Sequence, residues 1–521
     1  MPIYIPVLVL ILVPVMMWII RLVRPGFVYH WLVAVIGALV AWPLMILLGR
    51  NIPESLNMIS WQTGTLFPAG IGLELDRVSW PFAVSLVTLV LAVILTDIAR
   101  AAEVDWSNWA RSLLLTALGV LVVLSANPLT LLLTWTALDL VELVALLGLI
   151  STNRVRRQFI IVIGTRMVGS GVLIAAGIVA QTQGHVLSFA GIPPLSLFLL
   201  LLAAGLRLGV LPVPFLLDIH LHRGQGTMLH LVSVAASVVL VVRVALAQEI
   251  ATEPFLFSSL VLTLIGVASV VAGIVWLFAK SEFEGRPAWI LGTTSLAVAS
   301  AVRGSSDGSL AWGLAAIFLG GLIFLATARH RRLSWPLWIG LAGLSALPFT
   351  PTWSGTFIFT APYQPGLLLL LVCQVFLFLG FARHSLRKGT PLSGVERWVW
   401  LIYPIGLVIL PIVYFGIGWW SRPSFAEVPL AGWLVGPITL GLSIPAVWLI
   451  RREVRISNRL MESIRAIFSF NWLYKLVTAT FHLIENFIRF ISDILEGEGG
   501  VLWALLWVMM LITLILAGLG E

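Results

Sequence analysis

From residue 3 to residue 450 the chain is a succession of apolar runs, each about 20 residues long and parted by short connections. A helix of that length crosses a hydrocarbon layer about 30 Å thick. In lipid, only helices and closed barrels satisfy their own backbone polar groups. The runs fall near 3–22, 28–48, 78–99, 109–126, 128–151, 157–180, 194–217, 226–248, 255–279, 287–304, 309–328, 334–359, 366–383, 398–420, 430–450 and 501–519. The fold class they predict is an all-α polytopic membrane protein of about sixteen transmembrane helices. Composition agrees: 60% of the 521 residues are hydrophobic and 10% charged, too little polar surface for a soluble domain of this size. The first run, Pro2 to Ile20, precedes Arg21 and Arg24 and has no basic segment before it and no small-residue cleavage site, so it reads as a retained span.

Lysine and arginine placement sets the topology. Connections after odd-numbered helices carry Arg21 and Arg24; Arg154, Arg156 and Arg157; Lys280 and Arg286; Arg329, Arg331 and Arg332; Arg383, Arg387, Lys388 and Arg397; Arg451, Arg452 and Arg455. Connections after even-numbered helices carry little beyond Arg50, Arg77, Arg303 and Arg422. The positive-inside rule then puts the N-terminus outside and the basic loops in the cytoplasm, in what is expected to be a bacterial plasma membrane. The net charge of +8 is accounted for by this asymmetry, and nothing is left to suggest a nucleic-acid partner. The partners expected are lipid and other membrane subunits.

Cys373 is the sole cysteine. That excludes an internal disulfide and a cysteine-ligated cluster. There is no Gly-rich phosphate loop and no metal-ligand spacing, so no cofactor is expected in this chain and redox chemistry is not expected of it alone.

Two helices carry breaks. GLRLGVLPVPFLLD (205–218) and GLSALPFTPTWSGTF (343–357) each place two prolines at membrane depth, Pro212 and Pro214, then Pro348 and Pro351. Irregular backbone there survives where it is buried or lines a cavity, and paired breaks point to a transporter built from repeats. The expected division is 1–105 for helices one to three, 106–250 and 251–390 for two five-helix inverted repeats broken at helices seven and twelve, 391–452 for helices fourteen and fifteen, 453–500 for an amphipathic helix, and 501–521 for the last span. In 453–500, Leu473, Leu476, Val477, Phe481, Ile484, Phe487 and Ile488 recur at three and four, against a face with Lys475, His482, Glu485, Asn486 and Arg489. Such a helix lies along the cytoplasmic surface, on lipid headgroups or strapped across neighbouring subunits.

These segments resemble the antiporter-like membrane subunits of respiratory complex I and of Mrp-type sodium/proton antiporters. GLELDRVSWPFAVSLVTLVLAVI (72–94) is similar to the start of the family's third helix. SANPLTLLLTWTALDL (125–140), with Asn127 eight residues before Trp135, resembles its fifth. FIIVIGTRMVGSGVL (159–173), with Arg166 and Gly169, resembles its sixth. LRLGVLPVPFLLDIHLHRGQGTMLHLVSVAASVVLVVR (206–243) resembles its seventh and eighth. RPAWILGTTSLAVAS (286–300) is similar to the tenth, and LPFTPTWSGTF (347–357) to the broken twelfth. The surface helix and final span resemble the largest subunit of the group. The resemblance implies movement of protons or cations. It also implies an acid on helix five paired with a lysine on helix seven, and a polar axis running on through helices eight, eleven and twelve. This chain departs from that pattern. The helix-five position is Thr136, the helix-seven lysine is Arg207, the helix-twelve lysine is Phe359, and SLAWGLAAIFLGGLIFLA (309–326) has neither histidine nor lysine. Only the helix-eight histidine has a counterpart, His230.

The candidate ion pathway follows. Asp139 and Glu142 lie three and six residues after Thr136, and residues three apart share a helix face, so both acids are expected to point where the family's glutamate points. A charge at the bilayer centre costs about 2.5–3.5 kcal/mol on insertion scales, so intramembrane acids face a polar interior. They are either a relocated acid site or a structural ion pair. Arg207 stays protonated, so a pair with either acid is a clamp rather than a relay. Arg166, His220, His222 and His230 complete the candidates, histidine because it titrates near neutrality. His220 and His222 precede Arg223 and also read as interfacial residues, and Asp218 could cap the local break. Three functions remain open: an antiporter-like subunit of a complex I-type or Mrp-type ion-translocating complex, a membrane partner in an inorganic-carbon accumulation complex, or a structural anchor.

Overall fold

The computed structural model of the chain describes residues 2–59, 70–100, 104–147, 153–189, 191–210, 223–251, 254–327, 333–360, 362–387, 389, 396–421 and 428–451, with a few positions between 479 and 509. It is an all-α membrane protein. The described helices are α1 (Tyr4–Val23), α2 (His30–Leu48), α3 (Ser79–Asp97), α4 (Trp106–Val123), α5 (Pro128–Leu147), α6 (Asn153–Thr182), α7 (Pro194–Leu208), α8 (Arg223–Ile250), α9 (Ser258–Phe278), α10 (Arg286–Val302), α11 (Ser306–Leu325), α12 (Trp335–Leu344), α13 (Gly366–Ser385), α14 (Val399–Trp420) and α15 (Leu430–Arg451). Each matches an apolar run in order. Among the described residues, eleven helices are long and apolar enough to cross a membrane. The sixteenth expected span and nearly all of the amphipathic segment lie outside the described residues.

Burial separates centre from rim. α11 is buried throughout its span, α8 over 89% and α3 over 83%, whereas α1 and α2 are buried over 28% and 33%. The outer helices face lipid with side chains such as Leu12, Trp18, Leu32 and Leu39, as expected where the solvent itself is apolar.

The connections alternate between two ends. At one, Arg383 and Arg387 at the close of α13 donate to the carbonyls of Leu277 and Ala279, and His384 Nε2 donates to Trp276 O at 3.0 Å. They satisfy carbonyls that the end of α9 leaves open. At the same end a Cβ on Gly224 would fall 2.7 Å from Asp97 Oδ2, so the start of α8 sits against a carboxylate, which suits the positive end of a helix. At the other end Ser306 Oγ donates to Glu249 Oε2 at 2.6 Å and Arg303 Nη2 to Thr360 O at 2.5 Å.

A small antiparallel hairpin, β1 (Glu54–Ile59) with β2 (Ile71–Leu75), caps that second end. Asp76 follows it directly. Its Oδ1 accepts from the N–H groups of Val78 and Ser79 at 3.0 and 2.7 Å, satisfying the first turn of α3, while Oδ2 pairs with Arg243 of α8 at 2.6 Å. Asn127 starts α5 in the same manner: its Oδ1 accepts from Thr130 N at 2.9 Å and its Nδ2 donates to Gly70 O at 2.8 Å.

The second sequence break is described in full; Pro212 and Pro214 of the first lie outside the described residues, which reach only to Val210. α7 ends at Gly209, left-handed at φ 72°, a conformation glycine adopts without a steric cost. α12 ends after one helical half. Ala346 and Phe349 take φ of 54° and 70°, and the chain resumes as a 3-10 turn, Ser354–Phe359. Thr352 knits this break: its Oγ1 accepts from Ala346 N at 3.1 Å and donates to Gly343 O at 2.7 Å. Gly418 of α14 lets Pro351 approach, since a Cβ there would lie 2.7 Å from the proline ring.

Residues 462–521 form a separate compact unit. Within it Glu485 pairs with His482 at 3.3 Å and with Arg489 at 2.5 Å, the three- and four-residue spacing of an exposed helical face.

Candidate functional site

α5 lays Trp135, Asp139 and Glu142 along one stripe, at intervals of four and three. Trp135 is fully buried, and its Nε1 donates to Ala236 O of α8 at 2.8 Å. This fixes the rotation of α5 and aims the acids inward. Thr136 points elsewhere: it is exposed, and its hydroxyl returns to Leu132 O at 2.8 Å. The expectation that the acids share the face of Thr136 is therefore corrected. A three-residue step turns a helix by about 60° short of a full circle, so two such steps from Thr136 to Glu142 carry the side chain from the surface to the interior.

The acids meet two arginines. Arg207, near the end of α7, donates from Nη1 to Asp139 Oδ2 at 2.7 Å and from Nη2 to Asp139 Oδ1 at 2.8 Å, a bidentate pair. Its guanidinium carbon lies 4.3 Å from the Trp135 ring centroid, a cation–π contact. Arg166 of α6 donates from Nη1 to Glu142 Oε2 and, at 3.4 Å, to Asp139 Oδ1; its Nη2 donates to Ser233 Oγ of α8 at 2.7 Å. The side chains of Arg207, Glu142, Arg166 and Asp139 are 0, 1, 10 and 16% exposed. Two carboxylates and two guanidiniums leave no net charge, which is how four ionised groups persist at this depth. Gly169 makes room for the arrangement: a Cβ there would lie 3.0 Å from both Ala203 O and Arg207 Cγ.

Behind the arginines lies a cavity of about 90 Å³, room for about three waters at about 30 Å³ each. Thr165 and Arg166, the Gly209 turn, His230, Ser233 and Ile290 of α10 are among its walls. His230 Nδ1 lies 2.6 Å from Gly226 O. A carbonyl only accepts, so Nδ1 carries a proton and donates it to this bond. The remaining half of the chain is different. Every residue of α11 from Gly308 to Leu325 is buried, and its hydroxyl, Ser309, is spent on Ala297 O at 2.8 Å.

Of the candidate residues, Asp139, Glu142, Arg166, Arg207 and His230 thus converge on one region of α5 to α8. Asp218, His220 and His222 lie outside the described residues. Ser233 and Trp135 complete the cluster without having been singled out as site residues. Ser233 falls three residues after His230, a spacing that marks it as a neighbour on the same face.

No family model and no curated protein matches the sequence of the chain. Solved structures do match. A chain of the membrane-bound sulfane sulfur reductase, an archaeal respiratory membrane complex, aligns with a TM-score of 0.64 at 14% identity, over 99% of this chain and 100% of that one. A chain of respiratory complex I from Thermus thermophilus with bound aureothin aligns at 0.55 and 17%, over 80% and 97%. A chain of the Mrp complex from Dietzia sp. DQ12-45-1b aligns at 0.66 and 12%, over 98% of this chain and 62% of that one. At these identities the likeness is one of fold, and it is the fold that the sequence resemblance implies.

Proposed function

We propose that the chain is an antiporter-like subunit of a membrane complex that translocates protons or other cations, of the complex I type. In this reading the first half keeps an altered ion site and the second half is chiefly scaffold. The observation that carries it is the buried Asp139–Arg207 and Glu142–Arg166 cluster, set beside the Gly209 turn that ends α7, in a fold shared with chains of such complexes. A helix-seven lysine could give up its proton when its surroundings change; Arg207 cannot, so the Asp139 pair holds geometry. Between Gly308 and Leu325, α11 carries no titratable side chain that would continue a path through the second half.

The same reading puts redox chemistry and its cofactors on partner subunits, since the sequence has no phosphate loop or cysteine cluster for them. It places the chain in a bacterial plasma membrane with the N-terminus outside, on the strength of the arginine and lysine asymmetry.

Purification from native membranes followed by mass spectrometry tests the assignment. The expected companions are other polytopic subunits and a quinone-reducing arm. A large soluble zinc subunit in their place moves the chain to inorganic-carbon accumulation. A chain that purifies with no membrane partner overturns the reading. In vesicles holding the whole complex, Asp139→Asn with Glu142→Gln is expected to reduce translocation; unchanged translocation makes the chain an anchor.

A further inference from the structure

The two carboxylates of the cluster are held unequally. Asp139 accepts at both oxygens from Arg207, at 2.7 and 2.8 Å, and again from Arg166 at 3.4 Å. Glu142 is bonded through Oε2 alone. Its Oε1 is buried and has no hydrogen-bond partner among the described residues. A single nitrogen, Arg166 Nη1, serves both acids, while Nη2 of the same residue is anchored on Ser233.

We infer that Glu142 is the proton-exchanging carboxyl of the cluster, and that Arg166 is a two-position arm whose hydrogen bond passes from Glu142 to Asp139 when Glu142 is protonated. The biological use of this exchange rests on the function proposed above; its chemistry is local. A hydronium that reaches the unpartnered Oε1 gives its proton to the Glu142 carboxylate. An O–H bond forms on glutamate, the hydronium becomes water, and the cluster passes from net zero to one positive charge.

Neutralising one member of a buried ion pair ordinarily strands the other. Arg166 escapes this because Asp139 Oδ1 is already within 3.4 Å and Ser233 Oγ within 2.7 Å. Asp139 has no such freedom. Protonating it would leave Arg207, whose side chain is fully enclosed, on the Trp135 ring without its carboxylate. Arg166 is therefore a positioning residue and Glu142 the group that binds the proton.

Among the described side chains, the charged groups around Glu142 are few. Asp139 shares its helix, Arg166 comes from α6 and Arg207 from α7. His230 of α8 lines the cavity with Arg166. α4, packed on α5, brings Arg111, which is exposed, and β2 meets only the far end of α5, where Glu74 lies.

Infrared difference spectra of the full-length chain in lipid, recorded between alkaline and acid buffer, read the exchange directly. The wild type is expected to gain the carbonyl-stretch band of a buried carboxylic acid. Glu142→Gln removes the band. Glu142→Asp shifts it, and Asp139→Glu, which keeps a partner for Arg207, leaves it in place. Arg166→Lys, which shortens the arm, shifts its midpoint. The inference is overturned if the wild type shows no band, if the band survives Glu142→Gln, or if Arg166→Lys leaves the midpoint where it was. A band that behaves as expected in a complex that translocates nothing overturns the proposed function and leaves the exchange standing.

Discussion

Gly169 of α6 leaves the gap through which Arg207 of α7 reaches Asp139. A Cβ at Gly169 would stand 3.0 Å from the Arg207 Cγ and from the Ala203 carbonyl. Two helices and a buried ion pair thus meet over one hydrogen atom, and the first prediction follows from that fit.

Gly169→Val forces α6 and α7 apart and is expected to cost about 1–3 kcal/mol of stability, the usual penalty of overpacking. Gly171 is its control. It has open space where a Cβ would go, so Gly171→Ala is expected to be neutral or to stabilise by up to about 1 kcal/mol through helix propensity. Thermal unfolding in detergent separates the two. Equal losses would mean that the contact does not matter.

The Asp139–Arg207 pair is expected to show strong coupling. Arg207→Leu leaves a buried carboxylate with its main partner gone, a loss of about 3–5 kcal/mol. Removing both charges, with Asp139→Leu and Arg207→Leu together, is expected to restore most of that. A double-mutant cycle on unfolding free energy measures the coupling. If the two losses simply add, the pair is not a clamp.

Thr352 bridges the α12 break through one hydroxyl. Thr352→Val keeps the shape and leaves the Ala346 N–H and the Gly343 carbonyl without their partner. The expected cost is about 1–3 kcal/mol, with Thr352→Ser close to wild type. Hydrogen exchange at Ala346 is the sharper measurement: protection should fall in the valine variant and hold in the serine variant.

Orientation is open to chemical labelling. Cys373, the sole native cysteine, is fully buried, so the wild type should be silent to a membrane-impermeant maleimide. With the basic connections inside, Gln183→Cys is expected to label from outside intact cells, and Lys280→Cys only after the membrane is opened. Both positions are exposed. The reverse pattern would invert the proposed topology.

Helix positions were legible because run length against membrane thickness is a local property. The run at 78–99 is α3, Ser79–Asp97, and that at 366–383 is α13, Gly366–Ser385. The region of the charged cluster was legible too, since two acids in an apolar helix need partners. The pairing was not. Arg207 was expected beside one of the acids, yet nothing in sequence spacing says that it takes Asp139 and leaves Glu142 to Arg166. That choice depends on the rotation of α5, which Trp135 sets through a carbonyl 101 residues away. The hairpin of β1 and β2 escaped notice for a related reason. Its strands are short, and what holds them is contact with residues 124–126 and Thr130, which no window along the chain displays.

The charge cluster also bears on how the chain is made. α5 leaves the ribosome with two acids and no cation. Arg166 follows Asp139 by 27 residues and Arg207 by 68. An aspartate at the middle of a lone helix costs about 2.5–3.5 kcal/mol to insert. α5 is thus a poor candidate to enter lipid by itself. The compensating charges, Arg166 and Arg207, arrive only with α6 and α7.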